Sequence, residues 1–181
     1  WTPAVHLFTQ SGGKLKFDEN NKVFLPNKYP SDQLSVGSCN GDFNINEIIN
    51  NLSTNLKEFL KIDKTDFENL SIESEEENSK RNIWLLPSDK PIGKTKPFVD
   101  YQNDATAKDI KLALREGFRS IEHVKRYTTT GMGTDQGKLG NMHALGIIAD
   151  TAGVKMGELG TTTFRPPYTP LTFGTIVGRN V

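Results

Sequence analysis

The feature that most constrains this chain is a break in its hydrophobic pattern. Between Ile62 and Asn82 the apolar periodicity dissolves into Asp63, Asp66, Glu68 and an acidic cluster at 73–78, a composition unable to bury enough apolar surface to fold and best read as a solvated linker. Pro87, Pro91 and Pro97 then punctuate an extended connection, with Ile83-Trp-Leu-Leu-Pro87 as a short strand or an apolar tether. A chain of 181 residues interrupted there reads as two small bodies, with a second beginning near Phe98. The expected divisions are 1–61, a linker at 62–96, a helical unit at 97–158 and an extended tail at 159–181. The 35% hydrophobic share and mean hydropathy of -0.51 are low for one well-filled core and predict apolar surfaces that belong against partners.

In the first body, the apolar segments 5–8, 14–17 and 23–25 alternate with Gly- and Asn-rich turns, the language of strands. A further short strand at 33–36 is expected to enter a loop holding Gly37 and Gly41. Asn44, with Glu47 three residues on, can cap a helix whose Ile45, Ile48, Ile49, Leu52, Leu56, Phe59 and Leu60 form one stripe. A strand-to-helix turn of this kind can face a phosphate or ribose. It lacks the full G-x-G-x-x-G pattern, and a plain turn is the competing reading.

In the second body, Thr106 and Asp109 form a capping box before a helix carrying Ile110, Ala113, Leu114 and Phe118, broken at Gly117. Ser120 can cap a second helix with Ile121 and Val124. Residues 136–151 support a third, with Met142, Leu145, Ile148 and Ala152 inward and Gly153 at its end. The prolines and threonines of 161–170 predict an extended tail, in which Arg165 before Pro166 either straps domains together or lines a site.

The junction from Val124 to Lys138 combines cations, hydroxyls and glycines. Lys125, Arg126 and Lys138 offer charge, Thr128, Thr129 and Thr130 offer hydroxyls, and Gly131, Gly133 and Gly137 allow close backbone approach, so the segment can receive an anion or form an ordinary polar turn. With 22 basic and 22 acidic residues there is no global field for nucleic acid or anionic lipid. No apolar run approaches a membrane span, and no secretory signal is visible. Cys39 alone forms neither an internal disulfide nor a multi-cysteine metal site, which points to a reducing, cytoplasmic setting; it reads as a packed thiol. The sequons at Asn51 and Asn69 are then coincidental. His6, His123 and His143 give no metal pattern, and His123 reads as a structural histidine. The start at Trp1, without Met, reads as the interior of a longer chain.

Three segments carry a resemblance: Phe98-Val-Asp-Tyr-Gln-Asn-Asp-Ala-Thr-Ala-Lys-Asp-Ile110, His123-Val-Lys-Arg-Tyr-Thr-Thr-Thr-Gly-Met-Gly-Thr-Asp-Gln-Gly-Lys138 and Thr163-Phe-Arg-Pro-Pro-Tyr-Thr-Pro170. Together they resemble the middle of the alpha subunit of heterotetrameric sarcosine oxidase. The opening Trp1-Thr-Pro-Ala-Val-His-Leu and Ser11-Gly-Gly-Lys-Leu resemble the later part of its dinucleotide-binding domain, so the likeness spans nearly all but the acidic linker.

The resemblance implies an α/β followed by an α architecture. The first part would be the C-terminal portion of a dinucleotide-binding, disulfide-reductase-like domain. The second would be a small helical domain of the bacterioferritin-associated-ferredoxin type, and the tail would lead to a folate-binding domain. It further implies an oxidoreductase complex with beta, gamma and delta subunits that demethylates sarcosine to glycine, forms hydrogen peroxide and transfers a one-carbon unit to tetrahydrofolate. NAD would contact Val36, Gly37, Phe43 and Ile45, whereas Cys39 and Asn40 fall at variable turn positions. FMN would lie at the alpha-beta interface near Lys125, Arg126, Thr130 and Lys138, and FAD in the beta subunit. Related domains hold an iron-sulfur cluster through C-x-C and C-Q-G-x-x-C elements. At those places this chain has Asp100, Gln102, Asp135 and Gly140, none a thiolate, so no cluster is expected. A non-catalytic docking module bracing neighbouring domains is the competing reading.

Overall fold

The structure, a computed structural model, describes residues 2–30, 32–63, 70, 72, 83–165, 169 and 171–179. It is of mixed α/β class and divides into compact units at 1–82 and 83–181. The acidic cluster at 73–78 lies outside the described residues, as does the segment 166–168. Residues 83–96, read from sequence as the end of a linker, group with the second unit.

The first unit opens with helix α1 (His6–Gln10), where sequence predicted a strand over 5–8. The N–H groups of Thr9 and Ser11 donate to the carbonyls of Val5 and Leu7 at 2.9 and 3.1 Å, closing helical turns. Phe8 is thereby buried over Gly13 and packs edge-on against Tyr29 at 4.9 Å. So short an apolar run has no period that separates strand from helix, and this ring packing decides. Strands β1 (Lys14–Asp18) and β2 (Val23–Lys28) form an antiparallel hairpin. Asp18 organises its turn by accepting from the Asn20 N–H and the Asn21 amide, each at 2.9 Å. A register shift between Lys14 and Leu15 falls opposite Pro26, a residue with no N–H to give a regular ladder.

The strand expected over 33–36 is absent. The chain passes directly into a 3-10 turn, Gly37–Asn40, because Gly37 and Gly41 at φ +71° and +94° bend the backbone away from an extended path. Helix α2 (Ile45–Leu60) starts as expected, with the Asn44 side chain accepting from the N–H groups of Asn46 and Glu47 at 2.9 and 3.4 Å. Its apolar stripe is only partly covered: Ile45, Phe59 and Leu60 remain 44%, 46% and 54% exposed.

In the second unit the 83–87 segment is an irregular tether, and the Trp84 ring lies against Gly146, where a side chain would collide with it. Strand β3 (Phe98–Asp100) pairs antiparallel with β4 (Ala105–Thr106). The capping box then starts α3 (Ala107–Arg115), with the Thr106 N–H donating to Asp109 at 2.8 Å and the Asp109 N–H returning to Thr106 at 3.4 Å. Helix α4 (Ile121–Thr128) follows; Ser120 stands at its N-cap position, but its side chain makes no capping bond, and nothing in the structure explains why. Helix α5 (Asn141–Ala152) begins five residues later than sequence suggested, since Gly137 at φ +75° keeps 133–140 in turns. Helices α3, α4 and α5 close a core around the fully buried Ile110, Val124 and Ile148. Of the residues expected inward on α5, Leu145 and Ile148 are buried, whereas Met142 and Ala152 are half-buried. A short helix, α6 (Met156–Leu159), closes the helical part, and another, α7 (Phe173–Val177), interrupts what was expected to be an extended tail; Thr172 starts α7 by accepting from the Thr175 N–H at 3.4 Å. Among the described residues no helix is long and apolar enough to cross a membrane.

Candidate functional site

The junction after α4 is organised by a buried carboxylate. Asp100, 6% exposed at the end of β3, accepts from the Gly131 N–H at 2.7 Å across 31 residues of sequence, and from the N–H groups of Gln102 and Asn103 at 2.9 and 3.1 Å. The Asn103 amide adds a bond to the same carboxylate at 3.2 Å and another to the Thr129 carbonyl at 3.1 Å. Burial alone would raise the Asp100 pKa, but the bonds from Gly131, Asn103 and Gln102 outweigh it and hold the carboxyl below its ordinary value. Beside it, Gln102 accepts from the Thr134 hydroxyl and the Asp135 N–H, each at 3.3 Å, and Asp135 accepts from the Gly137 N–H at 3.0 Å. Gly133 is required because a side chain there would run into Gln102. Gly140 likewise lies against the Val99 carbonyl with no room for a side chain.

The anion that the glycine N–H groups were expected to receive is therefore supplied by the chain itself: Asp100 takes Gly131 and Asp135 takes Gly137. The three threonines are likewise engaged locally. Thr128 donates to the Val124 carbonyl at 2.8 Å, Thr130 lies 2.7 Å from the Thr128 hydroxyl, and Thr129 donates to the Thr128 carbonyl at 2.6 Å. Thr130 is 3% exposed, so it braces the turn instead of facing a ligand. Lys138 is exposed and does not line the cavity that holds Lys125 and Arg126.

That cavity, about 140 Å³, is lined by Glu122, Lys125, Arg126, Met132, Gln136 and Arg165. Lys125 is 8% exposed; burial lowers its pKa, Glu122 opposes this, and the guanidinium groups of Arg165 and Arg126 lower it further. Arg126 pairs with Glu122 at 3.4 Å. Lys125 and Arg126 stand together here, and Arg165 lines the same cavity, the second of the two roles its sequence left open. Residues 162–165 fold back through Asn141 to Thr162 at 3.0 Å, the Thr163 N–H to Glu122 at 3.2 Å and the Arg165 N–H to Gln136 at 3.1 Å. No local signal announces contacts across 21 to 41 residues of sequence.

In the first unit, Val36 is extended and its carbonyl accepts from the Cys39 thiol at 3.0 Å, consistent with a packed cysteine. Gly37 is buried, Phe43 half-buried and Ile45 exposed at the first turn of α2. The N–H groups of Gly41 and Asp42 return to Ser38 and Gly37 at 3.2 Å, and those of Asn46 and Glu47 go to Asn44. This turn offers a ligand apolar side chains more than backbone donors. Among the described residues no group of His, Cys, Asp and Glu is arranged to hold a metal ion. His123 is exposed and meets the Phe118 ring edge at 6.5 Å, and His143 approaches the Trp84 carbonyl at 3.4 Å.

Residues 94–179, which contain the Asp100 hydrogen bonds and the cavity, match the family described as the sarcosine oxidase A3 domain. The chain is 53% identical over 110 residues to sarcosine oxidase subunit alpha of Rhizobium meliloti (strain 1021), covering 60% of this chain and 11% of that protein. It is 34% identical over 189 residues to sarcosine oxidase subunit alpha of Corynebacterium sp. (strain P-1), covering 99% of this chain and 19% of that protein. The chain thus spans less than a fifth of the length of these relatives. Among solved structures, L-proline dehydrogenase from P. horikoshii matches with a TM-score of 0.61 at 22% identity, over 98% of this chain and 37% of that one, a likeness of fold.

Proposed function

The chain belongs to the sarcosine oxidase alpha-subunit family, and we propose that it serves, as part of such a subunit, at a flavin-bearing interface and in NAD binding. The complex would oxidatively demethylate sarcosine to glycine, form hydrogen peroxide and pass the one-carbon unit to tetrahydrofolate, in the cytoplasm and with beta, gamma and delta partners. The observation that carries this reading is the cation-lined cavity within the A3-matching segment. Lys125, Arg126 and Arg165 suit the phosphate end of FMN, and a flavin held there would supply electron transfer. Thr130 and Lys138 take supporting parts: Thr130 holds the turn through Thr128, and exposed Lys138 adds local positive charge.

For NAD, the fit is through surfaces. Val36, Phe43 and Ile45 present apolar contact, and Gly37 lets the backbone turn beneath them, while the pyrophosphate would need donors from elsewhere in a disulfide-reductase-like domain. An iron-sulfur cluster does not fit the second unit. At the positions where related domains carry thiolates, Asp100, Gln102 and Asp135 are engaged with backbone N–H groups, and Gly140 has no side chain. FAD and tetrahydrofolate would be held elsewhere in the complex.

The docking-module reading draws on the exposed Leu86, Tyr101 and Leu139, at 78%, 76% and 77%. Coexpression of the complete alpha subunit with its partners tests the choice. The enzyme reading requires sarcosine-dependent peroxide formation that is lost when the 83–181 unit is replaced by an inert linker but the remaining subunits still assemble. Peroxide formation surviving that replacement would favour docking alone.

A further inference from the structure

We propose that the groove between the 85–97 segment and α3 is a docking site for an extended acidic segment of another subunit of the complex, one that alternates carboxylates with apolar side chains. Lys90, Lys96 and Lys111 line this groove of about 480 Å³ with Leu85, Leu86 and Ile92, and no carboxylate lies among its lining residues. Among the described residues, none of the three ammonium groups takes part in a hydrogen bond or an ion pair. The chain as a whole carries 22 basic and 22 acidic residues, so this uncompensated cluster is a local feature, complementary to an anionic partner. A merely solvated lysine face has no need of exposed Leu86, at 78%, or of half-buried Leu85 and Ile92 in the same groove.

Two features select a polypeptide over a small anion. At about 480 Å³ the groove has room for several side chains, and a single oxoanion would leave most of it, including the leucines, uncovered. The N–H and C=O groups of Leu85 and Leu86 make no hydrogen bond among the described residues, which leaves main-chain groups free to pair with an added strand. The wall of the groove is already fixed. The Lys94 and Thr95 N–H groups donate to the Pro91 carbonyl at 2.8 and 3.3 Å, the Lys90 N–H to the Ser88 hydroxyl at 3.1 Å and the Ala107 N–H to the Pro97 carbonyl at 3.0 Å, so docking orders little of this chain. The proposal rests on the chain working within a multi-subunit enzyme; it does not rest on the flavin or NAD assignments.

Zero-length carbodiimide cross-linking of the coexpressed complex, with the linked peptides identified by mass spectrometry, tests the site. The expected product is an amide between Lys90, Lys96 or Lys111 and an Asp or Glu of another subunit, formed less readily at high salt. No link from these lysines, or links only to carboxylates of the alpha subunit itself, overturns the proposal. The combined variant Lys90→Glu, Lys96→Glu and Lys111→Glu should weaken subunit association by about tenfold or more, read by mass photometry on dilution, and Leu86→Asp should act in the same direction. Association unchanged in both also overturns it. The cross-link is read on the unaltered protein, so the test stands even where a variant fails to fold. Failure here is separable from failure of the flavin assignment: Lys125→Ala with Arg126→Ala is expected to assemble and lose FMN, whereas the lysine-groove variant is expected to assemble weakly, with FMN retained in the complex that does form.

Discussion

Replacing Asp100 by Asn should destabilise the second unit by about 3 kcal/mol, because the substitution keeps shape and removes half of the acceptor set. One carboxylate oxygen accepts from Gln102 and Asn103 N–H groups at 2.9 and 3.1 Å, and the other from Gly131 N–H and the Asn103 amide at 2.7 and 3.2 Å. Whichever way an amide is placed, its NH2 faces two donors. Bonds to a charged acceptor contribute about 1.5–3 kcal/mol each, discounted here because the Gln102 and Asn103 donors can reach water once released. The Gly131 N–H is buried and cannot. Urea unfolding at pH 7, followed by tryptophan fluorescence for the environment of Trp84, should show a lower midpoint at unchanged slope. The effect should also depend on pH in one direction. The Asp100 carboxyl titrates below the ordinary aspartate value, so its contribution is full above that ordinary value and disappears as pH falls through the lower folded value. Wild type and Asp100→Asn should therefore converge in acid. A loss under about 0.5 kcal/mol at pH 7, or a gap that persists unchanged in acid, would refute the view that this carboxylate clasps the junction.

Lys125→Met should raise stability by about 1 kcal/mol without anion, since it replaces an unpaired buried ammonium by an apolar chain of similar volume; thermal unfolding in phosphate-free buffer checks the sign. Gly137→Ala should cost about 2 kcal/mol or more, as Gly137 sits at φ +75° and a methyl would meet the Asn141 side chain; a urea midpoint no lower than wild type would contradict this. The purified 181-residue chain should contain neither iron nor acid-labile sulfide in stoichiometric amount, measured by elemental analysis and sulfide release. A stoichiometric cluster would contradict the inference that Asp100, Gln102, Asp135 and Gly140 at the thiolate positions cannot hold one.

Legibility in the sequence followed the range of the interaction. The caps at Asn44 and at Thr106 with Asp109 were readable because each closes within three residues. The stripe of α2 was readable for the same reason, although its exposed Ile45, Phe59 and Leu60 show that pattern alone does not say what covers a face. Helix α1 was misread as a strand because Phe8 chooses its conformation by packing on Gly13 and Tyr29. The site was half legible. Lys125 and Arg126 announced themselves as a cationic pair, but Asp100 as the internal anion for Gly131, and Arg165 as the third cation, depend on contacts that only the folded chain brings together.

We propose that the cationic junction serves a flavin-bearing interface. Its most direct test is FMN content per assembled complex, by acid extraction and fluorescence, for wild type and for Lys125→Ala combined with Arg126→Ala. The double variant is expected to assemble but to lose most of its FMN, with a parallel fall in sarcosine-dependent peroxide formation. Full FMN retention with unchanged peroxide formation would contradict it and leave the junction a structural brace.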